Sequence, residues 1–323
     1  MKKIALIYMG GTFGCIGQPL SPMPESEFLP ILEKIFARNV VIDCFAAASV
    51  KDSSAFTAQD WFLLIRQIQD LQLLHYQDFI IIHGTDTLSY AAATLARFLQ
   101  QSSRVIVTGS QYPLLNVSGQ DIRDFTDALD NLNTAIEHIQ KVPMGVYIAF
   151  HHKIFHASTV LKIHSTALDA FQGIPFTQEI QSESKSVEQF IVQVEHLAHV
   201  NALNIINLTL QPIELPQLSK TLSILKQQLP TALILQAYGT GNMATNREII
   251  NDCIEIQQLG CPIILDTQVA FGGLDQRYAV SEWLTEAKIL INDTHSHADL
   301  YAKILKMYLQ YPSTNQWHEH WYD

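Results

Sequence analysis

Residues 79–87 read Phe79-Ile80-Ile81-Ile82-His83-Gly84-Thr85-Asp86-Thr87. Four apolar residues with no polar alternation mark a parallel strand covered on both faces. The segment that follows, Leu88 to Gln100 (LSYAAATLARFLQ), is rich in Ala and Leu and repeats its apolar residues at helical spacing. Thr85 and Asp86 therefore fall on a turn between a strand's carboxyl end and a helix's amino end. Open α/β sheets bind ligands at such turns. Free backbone N–H groups and the helix dipole there favour an anionic group. The same residue types are also ordinary helix N-caps, and one strand–turn–helix unit by itself does not separate the two readings.

Working outward, the first strand ends in a comparable way. Ile4-Ala5-Leu6-Ile7-Tyr8 is apolar and runs into Met9-Gly10-Gly11-Thr12-Phe13-Gly14. Paired glycines allow a sharp bend and a close approach of backbone to ligand. The Thr12 hydroxyl would then emerge at the same sheet edge as Thr85 and Asp86. Neither a dinucleotide fingerprint nor a P-loop is present, because the G-x-G-x-x-G spacing and the Gly-Lys-Ser/Thr sequence are both absent.

The GGT after the first strand and the HGTDT after a later one resemble the bacterial L-asparaginases, most closely the cytoplasmic (type I) group. The resemblance extends in order over nearly the whole chain. It takes in Asp52-Ser53-Ser54, Thr108-Gly109-Ser110-Gln111-Tyr112-Pro113, Lys162 followed by Asp169-Ala170-Phe171, and Tyr238-Gly239-Thr240-Gly241-Asn242. Each short motif is weak alone; their order makes the set specific.

Composition bounds the other possibilities. A chain of 323 residues, 48% hydrophobic, can bury a sizeable core and is long enough for two domains. A net charge of −11 without any basic run argues against a nucleic-acid partner. Cys15, Cys44, Cys253 and Cys261 show no C-x-x-C spacing and read as reduced, mostly buried thiols of a cytoplasmic protein. The apolar run after Met1-Lys2-Lys3 is too short for a signal peptide, and no stretch reaches transmembrane length, so no membrane association is expected.

Strands alternate with helices, which predicts right-handed crossovers and an α/β fold of two domains, each a mostly parallel sheet flanked by helices. Gly14 to Pro24 (GCIGQPLSPMP) reads as an irregular, mobile loop. Helices are expected near Glu25–Ala37, Ala58–Leu74 and Asp121–His138, with strands near Val40–Phe45, Arg104–Val107 and Gly145–Phe150. Polar residues cluster around Gln181 to Ser186. This places an amino-terminal domain at 1–186, a linker at 187–199 and a smaller carboxyl-terminal domain at 200–323. In the second domain strands are expected at Leu203–Leu208, Leu233–Ala237 and Pro262–Leu265, with helices at Leu215–Gln228, Ala244–Gln258 and Ala298–Gln310.

Hydrolysis of a side-chain amide needs a nucleophile, a proton acceptor and an oxyanion site. The resemblance implies that Thr12 is the nucleophile and that Thr85, Asp86 and Lys162 form the cluster that activates it. A lysine serves as a base only where its surroundings depress its pKa, and most lysines are solvated surface residues. The resemblance also implies substrate contacts: Ser53 and Ser54 on a carboxylate-binding turn, Asp86 for the ammonium, Ser110 at the amide end, and Asn242 completing a neighbouring subunit's site. Ser53 and Ser54 are equally plain turn residues by their chemistry alone. The 13 histidines fall partly into local groups: His151, His152 and His156; His295 and His297 with Asp299; and His318 with His320. None has the spacing of a known metal site, so no metal is expected, and acyl transfer from an amide needs no cofactor.

Three departures stand out. The loop after Thr12 offers Leu20 where the family carries a tyrosine. Asp121-Ile122-Arg123-Asp124 stands where the family usually has a Gly and an Asn-Leu pair. Thr294-His295-Ser296-His297-Ala298-Asp299 replaces a segment that usually carries a Thr and a Glu. The expected activity is conversion of L-asparagine to L-aspartate and ammonia through an acyl-threonine, in a dimeric or tetrameric homo-oligomer. The alternatives are a glutaminase-asparaginase or other ω-amide hydrolase, and a non-catalytic relative that binds an amino acid. The archaeal tRNA amidotransferase subunit that shares these motifs has an extra amino-terminal domain, so that role is not expected of a chain whose first strand begins at Ile4.

Overall fold

The computed structural model describes residues 3–36, 41–180, 188–275 and 282–323. Two units are distinguished: residues 1–198 with 297–302, and residues 199–296 with 303–323. The polar cluster at Gln181 to Ser186, where the first domain is expected to end, lies outside the described residues.

The first unit runs β1 (Ile4–Tyr8), β2 (Cys15–Ile16), β3 (Ser21–Pro22), α1 (Glu25–Phe36), β4 (Ile42–Ala46), α2 (Ala58–Leu73), β5 (Asp78–Ile82), α3 (Leu88–Leu99), β6 (Arg104–Thr108), α4 (Ala128–His138), β7 (Gly145–Phe150), β8 (Lys153–His156), β9 (Leu161–Lys162) and β10 (Phe171–Gln172), with α5 (Val194–His199) at its end. Six strands form one sheet in the order β4-β1-β5-β6-β7-β8, parallel except for β8. Leu6, Tyr8, Ile80, Ile82 and Ile106 point to one face, against Phe28 and Leu32 of α1 and Leu132 and Ala135 of α4. On the other face α3 packs on β6 and β7, and α2 on α3. Both faces are thus covered, which is why β1 and β5 carry apolar residues without alternation.

The strand order contains a switch point. From β1 the chain moves to β4 on one side, then crosses to β5 on the other, so loops leave adjacent strand ends in opposite directions. Ligand crevices form at such points. The strand ends are level, because Tyr8 pairs with Ala46 and Ile82, and Ile82 with Thr108. The loops after β1, β4, β5 and β6 therefore emerge together. They also touch: a Cβ on Gly11 would lie 2.4 Å from the Gly84 Cα, and one on Gly109 2.2 Å from the His83 carbonyl oxygen.

The second unit holds β11 (Ile205–Thr209), α6 (Leu215–Leu225), β12 (Ala232–Ala237), α7 (Arg247–Gln258), β13 (Ile263–Thr267), α8 (Glu282–Glu286), β14 (Leu290–Ile291), and α10 (Thr314–His320) after α9 (His297–Gln310), whose residues divide between the units. Its four strands are all parallel, in the sequential order β11-β12-β13-β14. Leu218 and Leu222 of α6 and Ile249, Cys253 and Ile256 of α7 pack on Leu233, Leu235, Ile263 and Leu265.

Several expectations need correction. The loop after Thr12 contains a short antiparallel hairpin, Cys15 opposite Pro22 and Ile16 opposite Ser21, turning through Gly17 at φ 81°. Two rungs need only backbone pairing, which no side-chain period signals. The helix expected from Asp121 begins at Ala128 instead. The Asp121 carbonyl accepts from Asn116 N, and Arg123 N donates to the Leu114 carbonyl, so this stretch closes a loop. An Asn-Leu pair does stand in the helix, at Asn131-Leu132. The short elements β8, β9, β10, α8, β14 and α10 carry too few residues to show a period.

Gly11 sits at φ 81° with Gly84 backbone against it, so Gly11→Ala combines left-handed strain with overpacking. The expected loss is about 2–4 kcal/mol in urea unfolding. Gly260→Ala, at φ 106° with open space around it, should lose only about 1 kcal/mol from strain alone.

Candidate active site

The residues predicted in the first unit come from four strand-end loops and β9. Thr12 opens a single 3-10 turn, Thr12–Gly14, directly after Gly11. Beneath that turn lies the Tyr8 ring: a Cβ on Gly14 would stand 1.9 Å from the Tyr8 hydroxyl, so only glycine fits. The turn is pinned from outside as well, since Leu114 N donates to the Phe13 carbonyl and Met23 N to the Gly14 carbonyl. Among the described residues no side chain hydrogen-bonds the Thr12 hydroxyl. Tyr8 is wholly buried, its hydroxyl has no partner among the described residues, and burial pushes its pKa up, so it stays protonated and cannot act as a base.

Lys162 reaches back from β9 to the turn after β5. Its Nζ donates to Thr85 Oγ1 at 2.9 Å and to Asp86 Oδ1 at 3.1 Å. Thr85 is buried, whereas the Asp86 side chain is 59% exposed. The Asp86 carboxylate therefore keeps an open side toward solvent while its Oδ1 holds the lysine. Lys162 itself is placed by antiparallel pairing with Phe171.

Ser53 and Ser54 lie on the 3-10 turn after β4, and their roles differ. Ser53 is buried; its Oγ accepts from Asp86 N at 3.3 Å and its carbonyl from the Thr87 hydroxyl at 2.7 Å. That leaves the Ser53 hydroxyl its own hydrogen to donate. Ser54 is exposed, and both its N–H and its hydroxyl donate to Asp52 Oδ1. Those bonds hold the Asp52 carboxyl below the usual range, despite a smaller opposing effect of burial.

Ser110 is buried and donates to the Tyr112 carbonyl at 2.6 Å, so its hydroxyl is engaged within its own turn. Asp127 braces that turn: its carboxylate accepts from Gln111 N at 3.0 Å, Tyr112 N at 2.9 Å and Asn131 Nδ2 at 3.0 Å. Asn131 in turn donates to the Gly109 carbonyl and accepts from His151 N. Gln111 Nε2 donates to the Ala167 carbonyl, joining this turn to the loop that follows Lys162. Asn242 belongs to the second unit, on an exposed turn after β12 where its Nδ2 donates to Thr240 Oγ1 at 3.3 Å.

Sequence reasoning missed Asp127, Asn131 and the partners of His83. The i, i+4 spacing of Asp127 and Asn131 is a weak sign of one helix face; what they brace is set by tertiary contact. His151 and His152, both at positive φ, make the tight turn between β7 and β8. Among the described residues no group of three or more His, Cys, Asp or Glu could hold a metal ion. Leu20 is half exposed on the hairpin turn. Among the described residues no helix is long and apolar enough to cross a membrane.

A family model described as "Asparaginase, N-terminal" matches residues 3–193. L-asparaginase 1 of Escherichia coli strain K12 is 27% identical over 315 residues, which span 90% of this chain and 86% of that one. The L-asparaginase of Thermococcus kodakarensis is 26% identical over 248 residues, 74% of this chain and 71% of that one. The solved structure of the thermostable L-asparaginase from Thermococcus kodakarensis matches with a TM-score of 0.78 at 22% identity, covering 98% of this chain and 96% of that one. At that identity the likeness speaks to the fold.

Removing the Asp127 carboxylate strands two backbone N–H groups of the Ser110 turn. Asp127→Ala should lose roughly 2 kcal/mol in chemical unfolding, and Asp127→Asn, which keeps one acceptor oxygen, less. Denaturant midpoints of the two variants against the parent check this ordering.

Proposed function

The chain belongs to the asparaginase family, and from that premise we propose that it converts L-asparagine to L-aspartate and ammonia through an acyl-threonine on Thr12. The observation that carries the reading is the bond of Lys162 Nζ to Thr85 Oγ1 and Asp86 Oδ1, beside a turn on which Thr12 has no side-chain partner among the described residues. A hydroxyl is a poor nucleophile until a base takes its proton. Lys162 is the base, acting through the Thr85 hydroxyl, while Asp86 orients the amine.

In the first half-reaction Thr12 Oγ1 bonds to the side-chain amide carbon and its proton passes to the base. The C–N bond then breaks, and the leaving nitrogen takes a proton to depart as ammonia. Water attacks the resulting ester and restores the Thr12 hydroxyl. No cofactor is needed for acyl transfer of this kind. The Ser53 hydroxyl binds the α-carboxylate. Ser54, whose own donors are engaged by Asp52, shapes that turn. The exposed side of Asp86 binds the α-ammonium, and Ser110 lines the amide end. We place the enzyme in the cytoplasm on the strength of its four unpaired cysteines, and infer a homo-oligomer, dimer or tetramer, in which Asn242 completes a neighbouring copy's site.

Ammonia release should be measured with both enantiomers of asparagine and glutamine. No turnover of any ω-amide amino acid would sink the reading. Thr12→Val keeps the shape and removes one hydroxyl, so it should lower kcat by several orders of magnitude without unfolding the protein. Lys162→Met should act similarly; substantial activity at neutral pH would move the base elsewhere.

Dilution to monomer should lower activity per chain if copies share the site. A fully active monomer in analytical ultracentrifugation under assay conditions would contradict the shared site.

A further inference from the structure

We propose that His83 is a positioning residue, locked in one neutral tautomer between the Trp61 indole and the Gly84 carbonyl so that the Gly84-Thr85 backbone aims the Thr85 hydroxyl at Lys162. Its bearing on catalysis rests on the function proposed above; its structural role does not.

His83 is fully buried at the end of β5. Trp61 Nε1 lies 3.3 Å from its Nε2, and the Gly84 carbonyl oxygen 2.8 Å from its Nδ1. An indole N–H can only donate, and a carbonyl oxygen can only accept. Nε2 must therefore be the bare nitrogen and Nδ1 must carry the hydrogen. Of the three protonation states of an imidazole, only this one satisfies both partners.

The ring has little freedom to leave this position. Phe56 covers it with ring centroids 4.8 Å apart. Tyr301 packs edge-on against Trp61 at 5.8 Å, and Tyr90 against Tyr301 at 5.5 Å. The His83 backbone is gripped too, since its N–H donates to the Thr108 carbonyl at 2.8 Å.

The brace answers a specific weakness. A Cβ on Gly84 would stand 2.5 Å from Ser53 Oγ, so the crowded switch point admits only glycine there. Glycine leaves the backbone softest just before the residue whose hydroxyl must be aimed. Holding the Gly84 carbonyl fixes the plane of the peptide that leads into Thr85, because that unit is rigid. The Thr85 hydroxyl then sits 2.9 Å from Lys162 Nζ.

Charge agrees with this geometry. Burial lowers the His83 pKa from 6.5 to about 4, against weaker opposing effects of the Gly84 carbonyl and Asp60. Asp60 is the charged group facing it and is itself paired with Lys51 at 2.9 Å. Tyr90 and Tyr301, whose pKa values burial raises, stay neutral. The unfolded chain thus takes up a proton that the folded one refuses. The stabilisation is complete above pH 6.5 and is lost as pH falls from there to about 4.

Two substitutions separate a brace from a core filler. His83→Asn places an amide nitrogen near the Nδ1 position and keeps the bond to the Gly84 carbonyl. His83→Leu fills similar space with no donor. The Asn variant should keep kcat within about tenfold, and the Leu variant should lose about 10²-fold, as misplacement of a reacting group does, with KM changed much less. In crystals the Thr85 Oγ1 to Lys162 Nζ contact should persist in the Asn variant and open in the Leu variant. Equal behaviour of the two variants in both measurements would overturn the proposal.

Should His83→Leu not fold, the parent protein and Trp61→Phe decide. Long-range proton–nitrogen NMR of imidazole-labelled protein should show His83 as the Nδ1–H form, and loss of the Trp61 donor should move its titration to higher pH. An Nε2–H signal in the parent, or an unmoved titration, would refute the brace. If the parent does not hydrolyse asparagine, the functional reading fails, while the crystal and NMR results still decide what His83 does.

Discussion

Everything at the carboxyl edge of the first sheet depends on backbone meeting backbone where Gly11 packs on Gly84. Parallel strands sit roughly 5 Å apart, and the loops leaving β1 and β5 start level. A side chain on either residue would push those loops apart. Without one, Thr12 and Thr85 each follow directly on a glycine of that contact. The switch in strand order supplies the crevice, and the two glycines let it close to chemical distances.

Such a contact is soft unless other groups stiffen it. The buried polar residues around it do that work and are spent within the protein: His83 between Trp61 and Gly84, Asp127 on the Ser110 turn, Asn131 on Gly109. The groups with chemistry to offer are left open instead. Thr12 has no side-chain hydrogen bond among the described residues, and Asp86 turns an exposed carboxylate to solvent. This division follows from desolvation, since a buried polar group without a partner is costly and a reactive group with all partners satisfied has nothing to give. Tyr8 departs from this division, with a buried hydroxyl that has no partner among the described residues while its ring floors the Thr12 turn.

The pairing of Lys162 with Thr85 shows how distant segments combine. Lys162 lies on a two-residue strand that makes sense only beside Phe171. Gln111, from the turn after β6, reaches the loop between them through the Ala167 carbonyl. A residue that reads as an ordinary lysine along the chain thus becomes part of a cluster built on β5, because two loops and a short strand pair agree on its place.

Much of this was legible along the chain wherever the information is local. The apolar runs at Ile4–Tyr8 and Phe79–Ile82 announced strands buried on both faces, and the turn chemistry after them announced the sheet edge that carries Thr12, Thr85 and Asp86. The family resemblance supplied Lys162, Ser53 and the expected activity, which periodicity alone would not. Illegible were the features that exist only between segments. The hairpin at Cys15–Pro22 has too few residues to show a period, and α4 starts at Ala128 because a loop consumes the residues before it. Asp127 and His83 acquire their roles from backbone groups that no spacing rule brings near them. Local sequence determines which way a residue faces within its own strand or helix; only the packed fold decides what stands opposite, and hydrogen bonding and burial act on that opposite partner.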